Sequence, residues 1–194
     1  MSTTRLLYLH GFRSSPLSFK SRRLHEWLQV HRTDVQWCAP LLPPSPEGAW
    51  QLINQATGDW PADEMGVVGS SLGGFYATAL AEARGCRALL LNPAVDPARD
   101  LAPYVGELGY FHAPEQRFQF RADYLDELRA LVVPAITRPE RYAALIAKGD
   151  EVLDWREMCG RYPGATIRLL EGSDHGLSDF DSHLPWVLEQ LGLA

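Results

Sequence analysis

Short apolar runs recur along the chain and stop at glycine, proline or a polar turn: Arg5–Leu9, Val35–Ala39, Met65–Val68, Ala88–Leu91, Tyr142–Ala147 and Thr166–Leu170. Near-continuous hydrophobicity over so few residues predicts strands covered on both faces, as in a parallel sheet. The intervening stretches switch to helical spacing. Ser14-Ser15-Pro16 reads as a helix start, followed by Phe19, Leu24, Trp27, Leu28 and His31 on one face. Trp50 to Thr57, Phe75 to Ala83 and Leu184 to Leu191 read as further helices, the last closing the chain. Strand alternating with helix implies β-α-β units with right-handed crossovers. The expectation is one α/β domain over residues 1–194 with about six mostly parallel strands and helices on both faces.

Two segments break the alternation. Residues 40–46 carry four prolines, which remove backbone donors and fix φ, so this stretch is expected as surface loop. Between Asp96 and Glu140 prolines recur, aromatics gather at Tyr104, Tyr110, Phe111, Phe118 and Phe120, and one helix-like piece spans Arg121 to Val132. This reads as an insertion after the fourth strand, placed where a lid would cover a pocket at the sheet's C-terminal edge. Tyr124, Leu125, Leu128 and Leu131 at helical spacing equally suit a piece docked on the sheet.

Composition narrows the function classes. Hydrophobic residues make up 46% and charged residues 22%, the range of a globular enzyme. A net charge of −6 argues against nucleic acid as a partner. Cys38, Cys86 and Cys159 are odd in number and far apart, which suits a reducing cytoplasm and suggests neither a disulfide framework nor a zinc site. No leader pattern opens the sequence and no apolar run approaches the roughly 20 residues of a membrane span, so a soluble protein is expected. The composition sets no oligomeric state.

The chemistry centres on Gly69-Ser70-Ser71-Leu72-Gly73, a G-x-S-x-G between an apolar strand and an alanine-rich helix pattern. This is the form of a nucleophile elbow, with Ser71 at its apex and glycines where side chains would collide with the turn. A serine hydroxyl is a weak nucleophile near neutral pH and needs a base and a group to orient it. Asp150 follows the fifth predicted strand and His175 the sixth, giving the order Ser, Asp, His at C-terminal strand ends, as in an α/β-hydrolase. Asp154 and Asp174 are rival acids. Asp154 sits where a helix could begin, and Asp174 adjoins the histidine in sequence, which is poor geometry for orienting its ring. The oxyanion donors are expected to be the N–H groups of Leu72, at the helix start, and Phe12, in the His10-Gly11-Phe12 loop.

His25, His31, His112 and His183 fall where solvated or packing roles are expected, and His10 is given a pocket-shaping role. Arg13, Lys20, Arg22 and Arg23 lie near the oxyanion loop in sequence, where they could meet an acidic substrate or form a solvated helix face. No ligand spacing implies a metal, and no strand-linked G-x-G-x-x-G implies a dinucleotide, so no cofactor is expected.

The chain resembles the YqiA-type esterases, a small bacterial branch of the α/β-hydrolases. The resemblance rests on Leu7 to Phe12 with Ser14-Ser15-Pro16, Leu42-Pro43-Pro44, Val68 to Gly74, Asn92-Pro93-Ala94-Val95, Gly149 to Asp154 and Gly172 to His175. It implies cofactor-free hydrolysis of small-molecule acyl esters or thioesters by Ser71, His175 and Asp150, on a scaffold lacking the N-terminal strand pair of larger members. The insertion is its least matched part. Two other readings share the scaffold: a ligand-binding protein that has lost the chemistry, and a carbon-carbon bond or peroxide-forming hydrolase with the same triad.

Overall fold

The computed structural model describes residues 3–194. Its main sheet is parallel throughout and takes the strand order β2-β1-β3-β4-β7-β8. These strands are β1 (Arg5–Leu9), β2 (Gln36–Cys38), β3 (Met65–Ser70), β4 (Arg87–Leu91), β7 (Tyr142–Ala147) and β8 (Thr166–Leu170). They are the six apolar runs of the sequence. Alternate residues on each strand feed two cores, because successive side chains point to opposite faces. Leu7, Leu9, Val67, Leu90, Ala144 and Ile146 pack with α2 (Pro46–Thr57), α3 (Leu72–Arg84) and α6 (Trp155–Arg161). Leu6, Tyr8, Val68, Leu89, Leu91 and Leu145 pack with α1 (Phe19–His31) and α7 (Phe180–Gln190). The register sets Leu9 beside Gly69, Ser70 beside Leu91 and Ala147 beside Leu170. The loops that follow these strands therefore emerge along one edge.

Several boundaries differ from the expectation. Residue 46 is not loop: Pro46 opens α2, which Ser45 caps by accepting from the Gly48 N–H at 3.1 Å. A proline at the first helical position gives up only a donor with no intrahelical acceptor. α7 begins at Phe180 and runs through Pro185 rather than starting near Leu184.

The segment between β4 and β7 holds more structure than one helix. It contains α4 (Pro97–Asp100), the antiparallel pair β5 (Gly106–Gly109) and β6 (Arg117–Phe120), and α5, confined to Tyr124–Ala130. The pair escaped prediction because its strands are four residues each, are only half covered, and are joined by a long connection without a tight-turn signal. Its tip reaches the β1–α1 loop. Arg13 Nε donates to the Gly109 carbonyl at 2.7 Å, the Phe111 N–H donates to the Arg13 carbonyl at 2.9 Å, and the Arg13 guanidinium lies 4.3 Å over the Phe111 ring. Among the described residues no helix is long and apolar enough to cross a membrane.

Candidate active site

Ser71 lies between β3 and α3 with φ 53° and ψ −119°, a conformation that an L-residue adopts only when its surroundings over-determine it. Those surroundings are backbone. The Ser71 N–H donates to the Leu91 carbonyl at 3.0 Å, and its own carbonyl accepts from Gly74 and Ala94 at 2.8 and 3.0 Å. Glycine is required on either side because of close approach. A Cβ on Gly69 would overlap the Gly73 carbonyl and stand 2.7 Å from Ala77 Cβ, and one on Gly73 would overlap the Leu9 carbonyl. The strand, the turn and the helix can meet only if both positions lack a side chain.

The structure brings the three sequence-predicted side chains together. His175 Nε2 lies 3.1 Å from Ser71 Oγ, and His175 Nδ1 lies 2.7 Å from Asp150 Oδ2. The Asp150 side chain is fully buried, and its Oδ1 accepts from the Val152 and Leu153 N–H groups, each at 2.8 Å. A buried carboxylate satisfied in this way is held in one orientation, which fixes Nδ1–H as donor and leaves Nε2 free to accept. The rivals are engaged elsewhere: Asp154 caps α6 and Asp174 accepts from the Ser178 N–H at 3.0 Å.

Sequence reasoning missed two residues that hold this arrangement. Asn92, completely buried and with φ 43°, directly follows β4 and ties its own loop to the end of β7 and to the loop after β8. Its Nδ2 donates to the carbonyls of Asp174 and His175 at 3.0 and 3.2 Å, and its Oδ1 accepts from the Ala147 N–H at 2.8 Å. Asparagine is among the few residues that tolerate a left-handed backbone, and Asn92-Pro93 directly after an apolar strand was the available signal. Glu151 is the second: its carboxylate accepts from the His175 N–H at 3.0 Å.

Leu72 is the first residue of α3, so its N–H has no intrahelical acceptor, and Phe12 lines the same cavity as Ser71 and His175. That cavity, about 300 Å³, is mostly apolar: Leu101, Tyr104 and Phe111 come from the insertion, and Val152 and Leu153 from the loop after β7. The Phe12 ring packs against Tyr104, Phe118 and Phe120 at centroid distances of 6.0, 6.2 and 5.0 Å. The insertion is thus anchored on the residue expected to supply an oxyanion donor.

His10 is a tether. Its Nδ1 donates to the Gly11 carbonyl at 2.8 Å and its Nε2 accepts from the Leu42 N–H at 3.0 Å. Burial pushes its pKa down, in keeping with a neutral ring that must accept at one nitrogen. His25 stacks on Trp37, His31 lies against Trp27, His112 lies against Tyr110 and His183 pairs with Asp179. Of the four basic residues near the loop, Arg13 and Lys20 reach cavities beside Ser71, while Arg22 is exposed and Arg23 pairs with Glu26 and Asp181. Among the described residues no group of three or more His, Cys, Asp or Glu is placed to hold a metal ion.

A family model matches residues 5–191, from the first residue of β1 to the residue after α7. The chain belongs to the uncharacterised protein family UPF0227. Solved structures similar to this UPF0227 chain share its fold at low identity. Mouse alpha/beta hydrolase domain-containing protein 10 is 16% identical with a TM-score of 0.71, the match covering 98% of this chain and 91% of that one. Est1E from Butyrivibrio proteoclasticus, solved with ferulic acid bound, is 15% identical with a TM-score of 0.69 over 98% and 87% of the two chains. A monoacylglycerol lipase from Paleococcus ferrophilus is 14% identical with a TM-score of 0.65 over 97% and 96%. The parallel sheet, the elbow and these likenesses make the fold that of an α/β-hydrolase.

Proposed function

We propose that this UPF0227 chain is a serine hydrolase that cleaves carboxylic esters or thioesters of small acyl substrates through an acyl-enzyme on Ser71. The observation that carries this reading is the continuous relay from Ser71 Oγ to His175 at 3.1 Å and from His175 to Asp150 at 2.7 Å. As Ser71 Oγ bonds to the acyl carbon, His175 Nε2 takes its proton, and Asp150 stabilises the imidazolium. The Leu72 and Phe12 N–H groups hold the developing oxyanion. The C–O or C–S bond breaks, and His175 returns the proton to the leaving alcohol or thiol. Water, activated by the same imidazole, then releases the acid and restores Ser71.

The apolar cavity of about 300 Å³ is assigned to the acyl group. Esterases and a lipase among the proteins of similar fold support the same reading by analogy. The chemistry needs no cofactor. Free thiols at Cys38, Cys86 and Cys159 support a reducing, cytoplasmic setting.

The test is turnover of a panel of acyl esters and thioesters, with the acid product identified by mass. Ser71→Ala and His175→Ala are each expected to lower kcat by about 10⁴-fold or more with unchanged circular dichroism. A folded Ser71→Ala variant that keeps its activity overturns the proposal. Turnover confined to carbon-carbon or peroxide substrates would replace the ester assignment.

A further inference from the structure

A second cavity, about 230 Å³, also opens on Ser71 and His175, and its lining has a different character. Beside Phe12 and Phe111, which line both cavities, it is lined by Tyr8, Ser14, Ser18, Ser70 and Lys20, side chains that carry a hydroxyl or an ammonium group. Lys20 is only 8% exposed. It projects from the first turn of α1, and its Nζ donates to the Gly176 carbonyl at 2.6 Å, one residue from His175. An ammonium has three protons to donate, and that contact takes one. Burying a charge is costly unless something offsets it, and a neutral donor would hold one carbonyl as well.

We propose that this cavity is a carboxylate subsite: the leaving alcohol or thiol carries a carboxylate, held by Lys20 with the Ser14, Ser18 and Tyr8 hydroxyls, while the acyl chain fills the apolar cavity. The proposal rests on the acyl-hydrolase reading and names its substrate class, acyl esters or thioesters of short hydroxy or mercapto carboxylic acids. The reaction is otherwise unchanged, with the proton from Ser71 passing through His175 to the leaving oxygen or sulfur and the carboxylate departing with it.

The choice of a monoanion follows from the local charge. Lys20 is the cavity's cation, and Asp174 and Asp150 already act on it electrostatically, so a phosphate dianion would meet uncompensated repulsion. Burial lowers the Lys20 pKa to about 8, opposed by Asp174 and Asp150, which leaves the amine charged at pH 7. Tyr8, pushed up to about 12 mainly by burial, remains a neutral O–H donor.

Octanoyl esters of glycolate, β-hydroxypropionate and γ-hydroxybutyrate, each paired with its neutral amide, test the subsite. A charge-assisted contact predicts that wild type favours at least one carboxylate over its amide by about 10- to 100-fold in kcat/KM. In Lys20→Met that ratio is expected to fall to about one, and in Ser14→Ala to fall part-way. Ratios near one throughout in a wild type that hydrolyses the amides overturn the subsite and leave the hydrolase reading standing. Failure of folded wild type to cleave any ester overturns the reading beneath it. If Lys20→Met slows both members of each pair equally, Lys20 only positions Gly176 and the subsite is wrong. If Lys20→Met does not fold, the wild-type ratios and Ser14→Ala decide the matter. Faster cleavage of the ethylene glycol monophosphate ester than of the best carboxylate overturns the choice of anion.

Discussion

At the rim of the sheet, Asp150 and Asn92 are enclosed by protein and each spends its hydrogen bonds on backbone or on His175. In the segment between β4 and β7 that faces them, β5 and β6 are joined by their antiparallel ladder, tied to Arg13, packed through the buried Phe120 against Phe12, and carry an exposed Arg117–Glu107 pair on their outer face. Buried polar contacts are all-or-none, since losing one partner strands the other without water. Exposed ion pairs are exchanged for solvent at little cost. The difference puts the fixed polar contacts at the rim and the exposed pair on the outer segment; under the proposed function the fixed contacts fall on the reacting groups.

The sharpest break in this contrast is at the elbow. Gly73→Ala drives a Cβ into the Leu9 carbonyl, so it is expected to destabilise by more than about 4 kcal/mol or to prevent folding, as read by chemical denaturation. Asn92→Ala is next. It strands the Ala147 N–H and places alanine at positive φ, an expected loss of about 2–4 kcal/mol. Because Asn92 acts through the loop carrying His175, kcat should fall more than KM changes.

Lys20 sharpens the comparison from the opposite side, as a rim group that costs stability. Its folded pKa, about 8, lies below its ordinary value of 10.5, so between those pH values the unfolded chain binds more protons and stability rises with pH. Lys20→Met is therefore expected to be more stable than wild type near pH 7, by on the order of 1–3 kcal/mol, with the gap closing between about pH 8 and 10.5. Thermal melts of both proteins across that range check the sign. The smallest effect is reserved for Arg117→Ala: breaking an exposed pair should leave the melting temperature within error.

How much of this was legible in the sequence differs between the same two regions. The four inner strands announced themselves because burial on both faces writes continuous apolar runs, whereas the edge strands β2 and β8 are half-buried and exposed and were marked by shorter apolar stretches; β7 and β8 begin and end as expected. Ser71, Asp150 and His175 were legible because strand ends, glycines and chain order constrain where such groups stand. Asn92 was not, since its role depends on the end of β7 and the loop after β8, which meet only in the fold. Lys20 read more readily as one charge on a solvated helix face than as a group facing substrate, because burial of a lysine is decided by what packs over it. The β5–β6 pair was missed for a local reason: four-residue strands with exposed faces leave too short an alternation to separate from loop.

The most direct test of the central claim is the intact mass of wild type and Ser71→Ala after exposure to a small fluorophosphonate that labels activated serines. One adduct is expected on wild type, lost in Ser71→Ala and sharply slowed in His175→Ala, because a base within reach is what makes a serine hydroxyl reactive. Folded wild type that stays unlabelled, or equal labelling of wild type and Ser71→Ala, would contradict it.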